Sequence, residues 1–512
     1  MAGGTTAAPA LPLRGRSADP EAGIRARIQE SIDRHKNEVM GLNEKVLPAD
    51  AIWSNPELAW HETTAHDAIC GFFDSLGADY KVTRKAYGID TSFQVEAGTG
   101  ADTSGKKTRT IVFNAEYDAL PNMVPIKGTD PPKYKAAHAC GHNLIASASI
   151  AAFIACWETL KAAKGTGTIK LLGTPAEESG GGKLRLLAAG AYNAIAACLM
   201  VHPGPMYSDK SLAAVSVTSS LASQRIIVDF EGQASHAGLA PWKGKNALDA
   251  LVISYVSISA LRQQLNPSVR VCGIITQGGK AANVIPDHTS AEFSIRAKSR
   301  KDLDDLREKI ARCFKSGAEG AGCIAKVNET HRAYWDLNVN RVLCDRFTKH
   351  MKGFGVNIAN TLAEITDDPG AATDQGNVSH YCPAIQPIFA IESGDAVNHN
   401  PAFADAAHTP DAFARAIACS KGMAAVGYEV LTSDATAKEV ADEFSKSVPQ
   451  KATALARQFG REPPTQEQID NLLASPPSPL RKLLDPVDIT KEQALGALMA
   501  ADVFIDGLKG LL

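Results

Sequence analysis

The chain lacks the features of a membrane protein and of a nucleic-acid-binding protein. In its 512 residues no stretch approaches the roughly 20 continuous apolar residues that a membrane span needs. Its 53 basic and 56 acidic residues are interspersed and give a formal net charge of -3, so no basic surface for nucleic acid is expected. The partner is therefore expected to be a small molecule.

Cysteine is sparse, with ten residues at irregular spacing and no hydrophobic signal peptide before them. This pattern is typical of reduced thiols in a cytoplasmic protein rather than of a disulfide framework. The first 20 residues are rich in Ala, Gly, Pro and Thr, with no acid before Asp19. Simple disorder fits this composition, and a weak organelle transit signal is the alternative. We expect a cytoplasmic protein with a flexible N-terminus over residues 1–24.

What the chain does contain is a concentration of metal-ligand side chains. The segment 138–142 (HACGH) packs two histidines and a cysteine into five residues, although a lone buried thiol explains this segment equally well when it is taken alone. Three further segments end an apolar run in acids or a histidine: 110–118, 168–178 and 197–202. Helical segments over 143–164 and 183–189 separate these strands. The alternation predicts an α/β fold, with a mostly parallel sheet covered by helices on both faces.

The ends of these strands carry the candidate site. In open parallel sheets ligands bind outside the carboxyl ends of the strands, where Asp118, the Glu177–Glu178 pair and His202 fall. A further strand that ends shortly before His399 brings that histidine to the same edge. The alternatives are an N-cap or surface acid for Asp118 and a solvated pair at a helix start for the two glutamates.

The middle of the chain has a different rhythm. Residues 216–334 alternate strands and helices in the order β-α-β-β-α-β, which predicts a ferredoxin-like α+β lid inserted into the larger domain. The catalytic domain is then formed by residues 25–215 and 335–432, with Thr409 as N-cap of its last helix. Residues 433–512 are expected to form a helical C-terminal extension.

Several motifs occur in order between residues 25 and 430: AEYDALP, HACGH, GTPAEESGGGK, GQASHAG and NHNPAF. Together they resemble the M20 metallopeptidase family, in its amidohydrolase subfamily. The nearest branch holds one of the subunits of aminobenzoyl-glutamate hydrolase and a related mammalian dipeptidase. The resemblance implies a binuclear metal centre with these ligands: Cys140, His142, Glu178, His202 and His399. Thiolate, imidazole and carboxylate together suit transition ions rather than magnesium or calcium, so Zn²⁺ is expected first and Mn²⁺ second.

The resemblance also implies roles for the acids beside the metals. Asp118 takes the position of an acid that orients a metal ligand. Glu177 takes that of the base, which removes a proton from a metal-activated water and delivers it to the leaving amine. Two adjacent carboxylates in one dry pocket repel each other unless a metal neutralises one of them, which favours different roles for Glu177 and Glu178.

The remaining implied contacts lie on the lid. His236 matches a histidine that stabilises the tetrahedral oxyanion, in many relatives across a homodimer formed through the lid; a surface turn histidine is the alternative. Asn283 is expected to contact a substrate carbonyl or carboxylate. Arg296 is expected to clamp a carboxylate, although a structural ion pair explains it equally well.

Three functions fit these observations. The first is a metal-dependent amidohydrolase that cleaves an N-acyl amino acid or a dipeptide-like amide. The second uses the same fold and metal site for amide formation or another tailoring step in a biosynthetic pathway. The third is a non-catalytic binding protein, which the intact ligands and base disfavour.

Overall fold

The computed structural model describes residues 21–43, 52–99, 108–129, 131, 133–328, 332–360 and 370–458, and of residues 447–458 the backbone only. The N-terminal segment predicted over 1–24 lies almost wholly outside these ranges, as does most of the C-terminal extension. The helices are α1 (Ala22–Asn43), α2 (Thr63–Leu76), α3 (His142–Ala162), α4 (Gly182–Ala188), α5 (Ala247–Leu261), α6 (Arg300–Gly320), α7 (Arg341–Gly353), α8 (Gln375–Ser379), α9 (Pro401–Ala406), α10 (Pro410–Thr432) and α11 (Asp434–Gln458).

The strands are β1 (Lys81–Arg84), β2 (Phe93–Gly98), β3 (Thr110–Ala115), β4 (Leu120–Ile126), β5 (Lys133–Ala137), β6 (Thr168–Gly173), β7 (Ala197–Leu199), β8 (His202–Pro205), β9 (Ala214–Val215), β10 (Ala222–Glu231), β11 (Ser235–His236), β12 (Arg270–Gln277), β13 (Val284–Ile285), β14 (His288–Ala297), β15 (Ile324–Asn328), β16 (Ile358–Ala359), β17 (Ala384–Ile385) and β18 (Ile388–Ile391). The mixed α/β class predicted from the sequence is confirmed.

The central sheet has the strand order β1-β2-β6-β3-β7-β17. Its inner strands β6, β3, β7 and β17 pair in parallel, and β1 and β2 form an antiparallel edge. Along β3, Ile111 packs into the core formed with α3 and α10, while Val112 packs into the core on the other face, beside α4 and α8. Alternate residues therefore face opposite helical layers, which explains why the inner strands carry apolar residues on both faces.

At two points the chain passes from the central sheet into a second sheet, and the first of them lies within a predicted strand. The predicted strand over 197–202 is β7 in the central sheet followed by β8 in a second sheet, whose order is β16-β9-β18-β8. The strand predicted shortly before His399, over residues 386–392, corresponds to β18 of the second sheet, and β17 of the central sheet lies just before it. Prolines at 203, 205 and 387 provide no N–H for a continuous ladder, so the chain changes sheets here. The change places His202 at the first position of β8.

The segment predicted as a lid forms a separate antiparallel sheet in the order β12-β14-β10-β15, with α5 and α6 packed on one face. Its core includes Phe230, Phe293 and Phe314. Beside it, β11 and β13 form a small antiparallel ribbon.

Helix α3 corrects the expectation that no segment resembles a membrane span. It is the one helix in the described ranges with the length and hydropathy to cross a membrane, and 94% of its most apolar window is buried inside the protein. Counting continuous apolar residues missed it because Ser147 and Ser149 interrupt the run. Both hydroxyls are buried and donate to backbone carbonyls, those of Asn143 and Asn114. An apolar surface on all sides suits a helix that lies at the centre of a core.

Helix α10 begins as predicted. Thr409 is its N-cap, and the threonine hydroxyl accepts a hydrogen bond from the amide of Ala412 at 3.2 Å. Pro410 follows at the first helical position, where its missing N–H costs nothing. This helix packs against α3 and thereby supports the helix whose first turn carries Cys140 and His142.

Candidate metal centre and active site

Cys140 and His142 enter the site from the sharp turn that starts α3. Gly141 between them has a φ of 76°, and a Cβ at this position would lie 2.5 Å from the Pro203 side chain. Only glycine combines that backbone conformation with so close an approach. The glycine of HACGH therefore brings Cys140 beside β8.

Asp118 fixes two candidate ligands at once. Its Oδ1 lies 2.8 Å from Nδ1 of His142 and accepts that N–H, while Oδ2 accepts the backbone N–H of Glu178 at 2.9 Å. His142 therefore turns its Nε2 away from the aspartate, 3.7 Å from Glu178 Oε1. Asp118 is buried in this pair, so it is neither a helix cap nor a surface acid. A carboxylate that holds the far nitrogen of an imidazole is the usual support of a metal-binding histidine.

His202 is held in the same manner by a carbonyl. Its Nδ1 donates to the carbonyl oxygen of Pro203 at 2.8 Å, and its Nε2 lies 3.6 Å from Sγ of Cys140. The Asn398 side chain donates to the same Pro203 carbonyl at 3.2 Å and lies 3.7 Å from the sulfur. Both candidate histidine ligands thus keep Nε2 free of hydrogen bonds to the backbone.

His399 completes the set from the loop after β18. Its φ is 66°, in the left-handed region, and its backbone N–H donates to the carbonyl of Ala139 at 2.8 Å. Its Nε2 lies 3.5 Å from Oε2 of Glu178. Strained backbone at a non-glycine residue persists where the surroundings hold it, often at functional sites.

Three overlapping groups contain the predicted ligands, and in each all donor atoms lie within 4.8 Å of one another: Cys140, His142 and His202; Cys140, Glu178 and His399; and His142, Glu177 and Glu178. A fourth group, Glu116, Glu177 and Asp374, overlaps them at Glu177. Two buried atoms of the first three groups, His142 Nε2 and Glu178 Oε1, have no hydrogen-bond partner in the described structure. Unpaired buried polar atoms are costly unless something binds them. Thiolate, imidazole and carboxylate donors of this kind suit transition-metal ions, and these residues would hold two of them.

Burial and like charges dominate the electrostatics of the acids. Burial raises the pKa of Glu178 to about 7. It raises the pKa of Glu177 well above its ordinary value, and the neighbouring carboxylates of Glu116 and Glu178 add to that rise. The Glu177–Glu178 pair is therefore buried, and it is not the solvated pair at a helix start that was the alternative from the sequence. Burial also lowers the pKa of His202 to about 4, which keeps its imidazole neutral and able to coordinate a metal.

The backbone of Glu177 is held from both sides. Ala176 before it has a φ of 59°, and its N–H donates to Oε1 of the buried Glu62 at 2.8 Å. The hydroxyl of Tyr334 donates to the carbonyl of Glu177 at 2.6 Å. The Glu177 side chain then lines the cavity beside the donor atoms. These contacts fix where its carboxylate lies.

A buried lysine lies behind the donor atoms, and no motif in the sequence gave it a role. Nζ of Lys183 lies 2.5 Å from Glu116 Oε1 and 2.5 Å from Asp374 Oδ1, and its backbone N–H donates to Asp374 Oδ2 at 2.9 Å. All three side chains are fully buried. The other oxygen of Glu116 lies 3.5 Å from His142 Nε2. The signal in the sequence is a lysine directly after the glycine run, next to an apolar helix.

His138, the first residue of HACGH, lies outside all three donor groups. Its Nε2 donates to the carbonyl of Ile52 at 3.1 Å, and its ring is buried. Burial, with a smaller contribution from the charge of His142, lowers the pKa of His138 to about 4. His138 is thus a neutral core histidine.

This lowered pKa predicts a loss of stability in acid. Between pH 6.5 and 4 the unfolded chain binds a proton at His138 and the folded chain does not, so stability falls as pH falls, by up to about 1.4 kcal/mol per pH unit. His138→Gln keeps an N–H donor but has no titrating imidazole. We expect its free energy of unfolding to fall by about 2 kcal/mol less than that of wild type over this range. Urea unfolding of both chelator-treated proteins at pH 7 and pH 4.5 measures the difference. Equal losses in the two proteins would contradict the prediction.

A cavity of about 520 Å³ opens in front of the donor atoms. Arg296 lines it, donates to the carbonyl of Gly370 at 3.3 Å and forms no ion pair with the described residues. His236 and Asn283 do not line it. They lie beside each other on the β11–β13 ribbon, where the amide of Ala237 donates to the carbonyl of Asn283 at 3.1 Å, and both are exposed. The structure thus brings together all predicted residues except these two.

Comparisons with known proteins identify the family of the chain. Residues 219–321 match the peptidase dimerisation domain of M20 peptidases. The chain is 34% identical over 440 residues to the Xaa-Arg dipeptidase of Mus musculus, an alignment that covers 85% of this chain and 95% of that one. It is 29% identical over 283 residues to one of the subunits of p-aminobenzoyl-glutamate hydrolase from Escherichia coli (strain K12), covering 54% and 55% of the two chains.

A solved Bacillus subtilis structure, described as a dinuclear metal-binding peptidase of the M20 family, has the same fold. Its TM-score is 0.53 at 19% identity, over 79% of this chain and 99% of that chain. The relatives with a named activity are hydrolases, so the non-catalytic alternative is set aside. The match to the mouse enzyme spans nearly the whole of it, and the chain therefore belongs to the M20 family of metallopeptidases, enzymes that cleave small amide bonds.

Proposed function

We propose that this protein hydrolyses the amide bond of an N-acyl amino acid or a dipeptide-like molecule at a binuclear metal centre. The observation that carries the proposal is the set of overlapping donor groups with Glu177 beside them, in one cavity of a size that suits a small molecule. Cys140, His142, Glu178, His202 and His399 would hold two ions. Zn²⁺ fits this donor set best, and Mn²⁺ is the second candidate.

Two divalent ions in this pocket would supply a Lewis acid for the amide carbonyl and would lower the pKa of a water molecule. The rest of the chemistry belongs to side chains of this chain. Asp118 accepts a hydrogen bond from Nδ1 of His142, so that Nε2 is the nitrogen left to bind a metal. Glu177 accepts a proton from the attacking water and donates it to the nitrogen of the leaving amine. Its raised pKa supports both steps, because a carboxylate of ordinary pKa would not retain the proton near pH 7.

Arg296 is proposed to bind the carboxylate of the amino-acid half of the substrate. It lies in the cavity wall, and its guanidinium has no acidic partner among the described residues, which favours a substrate contact over a structural ion pair. The Xaa-Arg dipeptides and p-aminobenzoyl-glutamate named for the two relatives both contain a free carboxylate in that half. These compounds define the first substrates to test.

We further propose a homodimer through residues 216–334, in which His236 and Asn283 reach the cavity of the partner subunit. Both are exposed, and neither lines the cavity of its own chain. Nδ1 of His236 accepts the N–H groups of Gly238 and Leu239, each at 3.1 Å, so Nε2 carries the proton and can donate to an oxyanion. Apolar side chains are exposed on the same domain: Val252, Tyr255, Val256, Ile274 and Ile275.

All ten cysteines are free, which agrees with a reducing, cytoplasmic environment.

Chelation tests the metal requirement. Purified protein is assayed for amine release from Xaa-Arg dipeptides, p-aminobenzoyl-glutamate and N-acyl amino acids, before and after chelator treatment. We expect activity to fall to background without metal and to return when Zn²⁺ or Mn²⁺ is added, because activation of the water requires the metal. Release that survives chelation and verified metal removal would contradict the proposal. No release from the metallated protein would favour amide formation.

A further inference from the structure

The two groups that the proposed function places at opposite ends of the substrate's amino-acid half lie on different sheets. Arg296, proposed to bind the carboxylate, lies near the end of β14 in the lid sheet (β12-β14-β10-β15), whereas Glu177, the proposed base, follows β6 of the central sheet. One carbon atom separates the amide nitrogen from the carboxylate in an α-amino acid. The lid sheet must therefore lie at a fixed distance from the base if both groups are to act on one substrate.

A row of three paired residues begins at Arg296. Ser223 of β10 lies opposite Arg296 in the antiparallel register of β10 and β14. On its other side Ser223 pairs with Tyr334: the Ser223 N–H donates to the carbonyl of Tyr334 at 2.9 Å, and the Tyr334 N–H donates to that of Ser223 at 2.8 Å. Residues directly opposite each other in an antiparallel pair have side chains on the same face. Arg296 and Tyr334 therefore project from one face, and Arg296 lines the cavity there.

The side chain of Tyr334 completes the connection to the base. Its hydroxyl donates to the backbone carbonyl of Glu177 at 2.6 Å, although the two residues are 157 positions apart in the sequence. Its ring packs beside the glycine run that follows the base, since a Cβ on Gly181 would lie 3.3 Å from Cε1 of the tyrosine. Tyr334 thus pairs through its backbone with the lid sheet and contacts through its side chain the segment that carries Glu177.

The segment around Tyr334 has other contacts that fix its position. Asn377 of α8 holds it from both ends, because its Oδ1 accepts the N–H of Trp335 at 3.1 Å and its Nδ2 donates to the carbonyl of Ala333 at 3.2 Å. A phenylalanine at position 334 would keep these contacts and the pairing with the lid sheet. The hydroxyl therefore acts on the carbonyl of Glu177 and adds little to the position of its own segment.

We propose that Tyr334 is a positioning residue that fixes the spacing between the carboxylate site at Arg296 and the base Glu177. This inference rests on the proposed function, which supplies the roles of both groups. A fixed spacing selects substrates in which one carbon separates the amide nitrogen from the carboxylate, because a displacement of about 1 Å costs about 10²-fold in rate. Tyr334 does not line the cavity and acts through the backbone of Glu177.

Two matched substrate pairs test the spacing. Alanyl-arginine is compared with alanyl-β-homoarginine, and p-aminobenzoyl-glutamate with p-aminobenzoyl-β-homoglutamate, so that each pair differs by one methylene next to the carboxylate. We expect wild type to prefer the α-compound of each pair that it cleaves by about 100-fold in kcat/KM, because the longer compound cannot reach both groups in the productive geometry. Equal kcat/KM values within every cleaved pair would overturn the proposal.

Tyr334→Phe removes only the hydroxyl. We expect its kcat for the α-compound to fall by about 10-fold with KM within about threefold of wild type, since one hydrogen bond that positions the base is lost. Its preference for the α-compound should fall by at least about threefold, because the spacing is no longer held. The preference decides the question: if it stays as in wild type, whether or not kcat falls, the inference is overturned.

Tyr192→Phe is the matched control. Tyr192 is also buried, and its hydroxyl donates to Oδ1 of Asn114 at 3.0 Å, but this tyrosine does not line the cavity. We expect the two variants to unfold at similar temperatures, because each loses one hydrogen bond, and Tyr192→Phe to keep kcat and the preference within about twofold of wild type. A comparable loss of preference in Tyr192→Phe would overturn the assignment to Tyr334.

Calorimetry distinguishes this inference from the proposed function. If the metallated wild type cleaves none of the four compounds, the hydrolase proposal fails for them, and their binding to wild type and to Tyr334→Phe is measured instead. Tighter binding of an α-compound than of its longer counterpart in wild type, with a smaller difference in the variant, still supports the spacing role of Tyr334. Equal binding within each pair, no binding, or a difference that is the same in both proteins overturns it.

Discussion

Glu177→Gln is expected to lower kcat by about 10³-fold while the metal content of the protein stays at the wild-type level. The carboxamide has nearly the shape of the carboxylic acid but accepts no proton from the water and delivers none to the leaving amine. The effect should fall on kcat more than on KM, since the proton is moved in the transition state and not on binding. Steady-state kinetics on the best substrate, with metal analysis of the same samples, measures both quantities.

Glu62→Gln is the matched control. Glu62 is also a buried carboxyl, and burial raises its pKa to about 7, with the charge of Asp118 second. It does not line the cavity, and the amide oxygen of glutamine can still accept the N–H of Ala176 that Oε1 accepts now. We expect this variant to keep kcat within about 10-fold, because it moves no proton to or from substrate. Comparable losses of kcat in both variants would contradict the assignment of Glu177 as the base. They would show that any buried carboxyl of raised pKa near the site affects kcat, whatever its position. Loss of metal in Glu177→Gln would make Glu177 a ligand instead of the base.

The donor atoms of the site were predictable because they follow strands and helices of clear pattern. Runs that are mostly apolar without alternation, such as the one that ends before Asp118, predict buried parallel strands, and their carboxyl ends meet at one edge. The turn at Gly141 could also be predicted, because it depends on residues that are adjacent in the sequence. What the sequence did not reveal depends on contacts between distant segments. Asp374 contacts Lys183 although the two are 191 residues apart in the sequence, and no spacing rule predicts such a contact.

His138 and Gln386 are two further residues whose roles depend on contacts that the sequence does not reveal. His138 stands in a metal-binding motif, yet its ring is buried and donates a hydrogen bond to a backbone carbonyl 86 residues away in the sequence, so it is a core residue. Gln386 stands in a strand-like segment without any motif, and only the break between β17 and β18 brings it to the cavity wall. Residue type suggests chemistry, but the partner that a side chain finds, or lacks, decides its role.

Lys183→Met is expected to be the most destabilising of the proposed substitutions, with a loss of about 3–5 kcal/mol in the free energy of unfolding. Burial alone would lower the pKa of Lys183, but the carboxylates of Asp374 and Glu116 outweigh it and raise that pKa, so the lysine is charged. Methionine fills the space of the side-chain stem and removes only the ammonium group. Two carboxylates then stay buried with no cation between them, and the cost of their charge is no longer compensated.

The pH dependence of this loss identifies its cause. Without the ammonium, burial raises the pKa values of Glu116 and Asp374 in the folded state above their unfolded values, so the folded variant gains protons that the unfolded chain lacks. Stability of the variant relative to wild type is then retained in acid and lost as pH rises, and urea unfolding should show a larger deficit at pH 8 than at pH 5. Lys161→Met, which removes the exposed partner of Asp79, should cost about 1 kcal/mol or less at either pH. Adding Glu116→Gln and Asp374→Asn to Lys183→Met removes the uncompensated charges and should recover part of the loss. A deficit that is independent of pH and survives those two changes would mean that Lys183 stabilises the fold by packing, and that its charge does not matter.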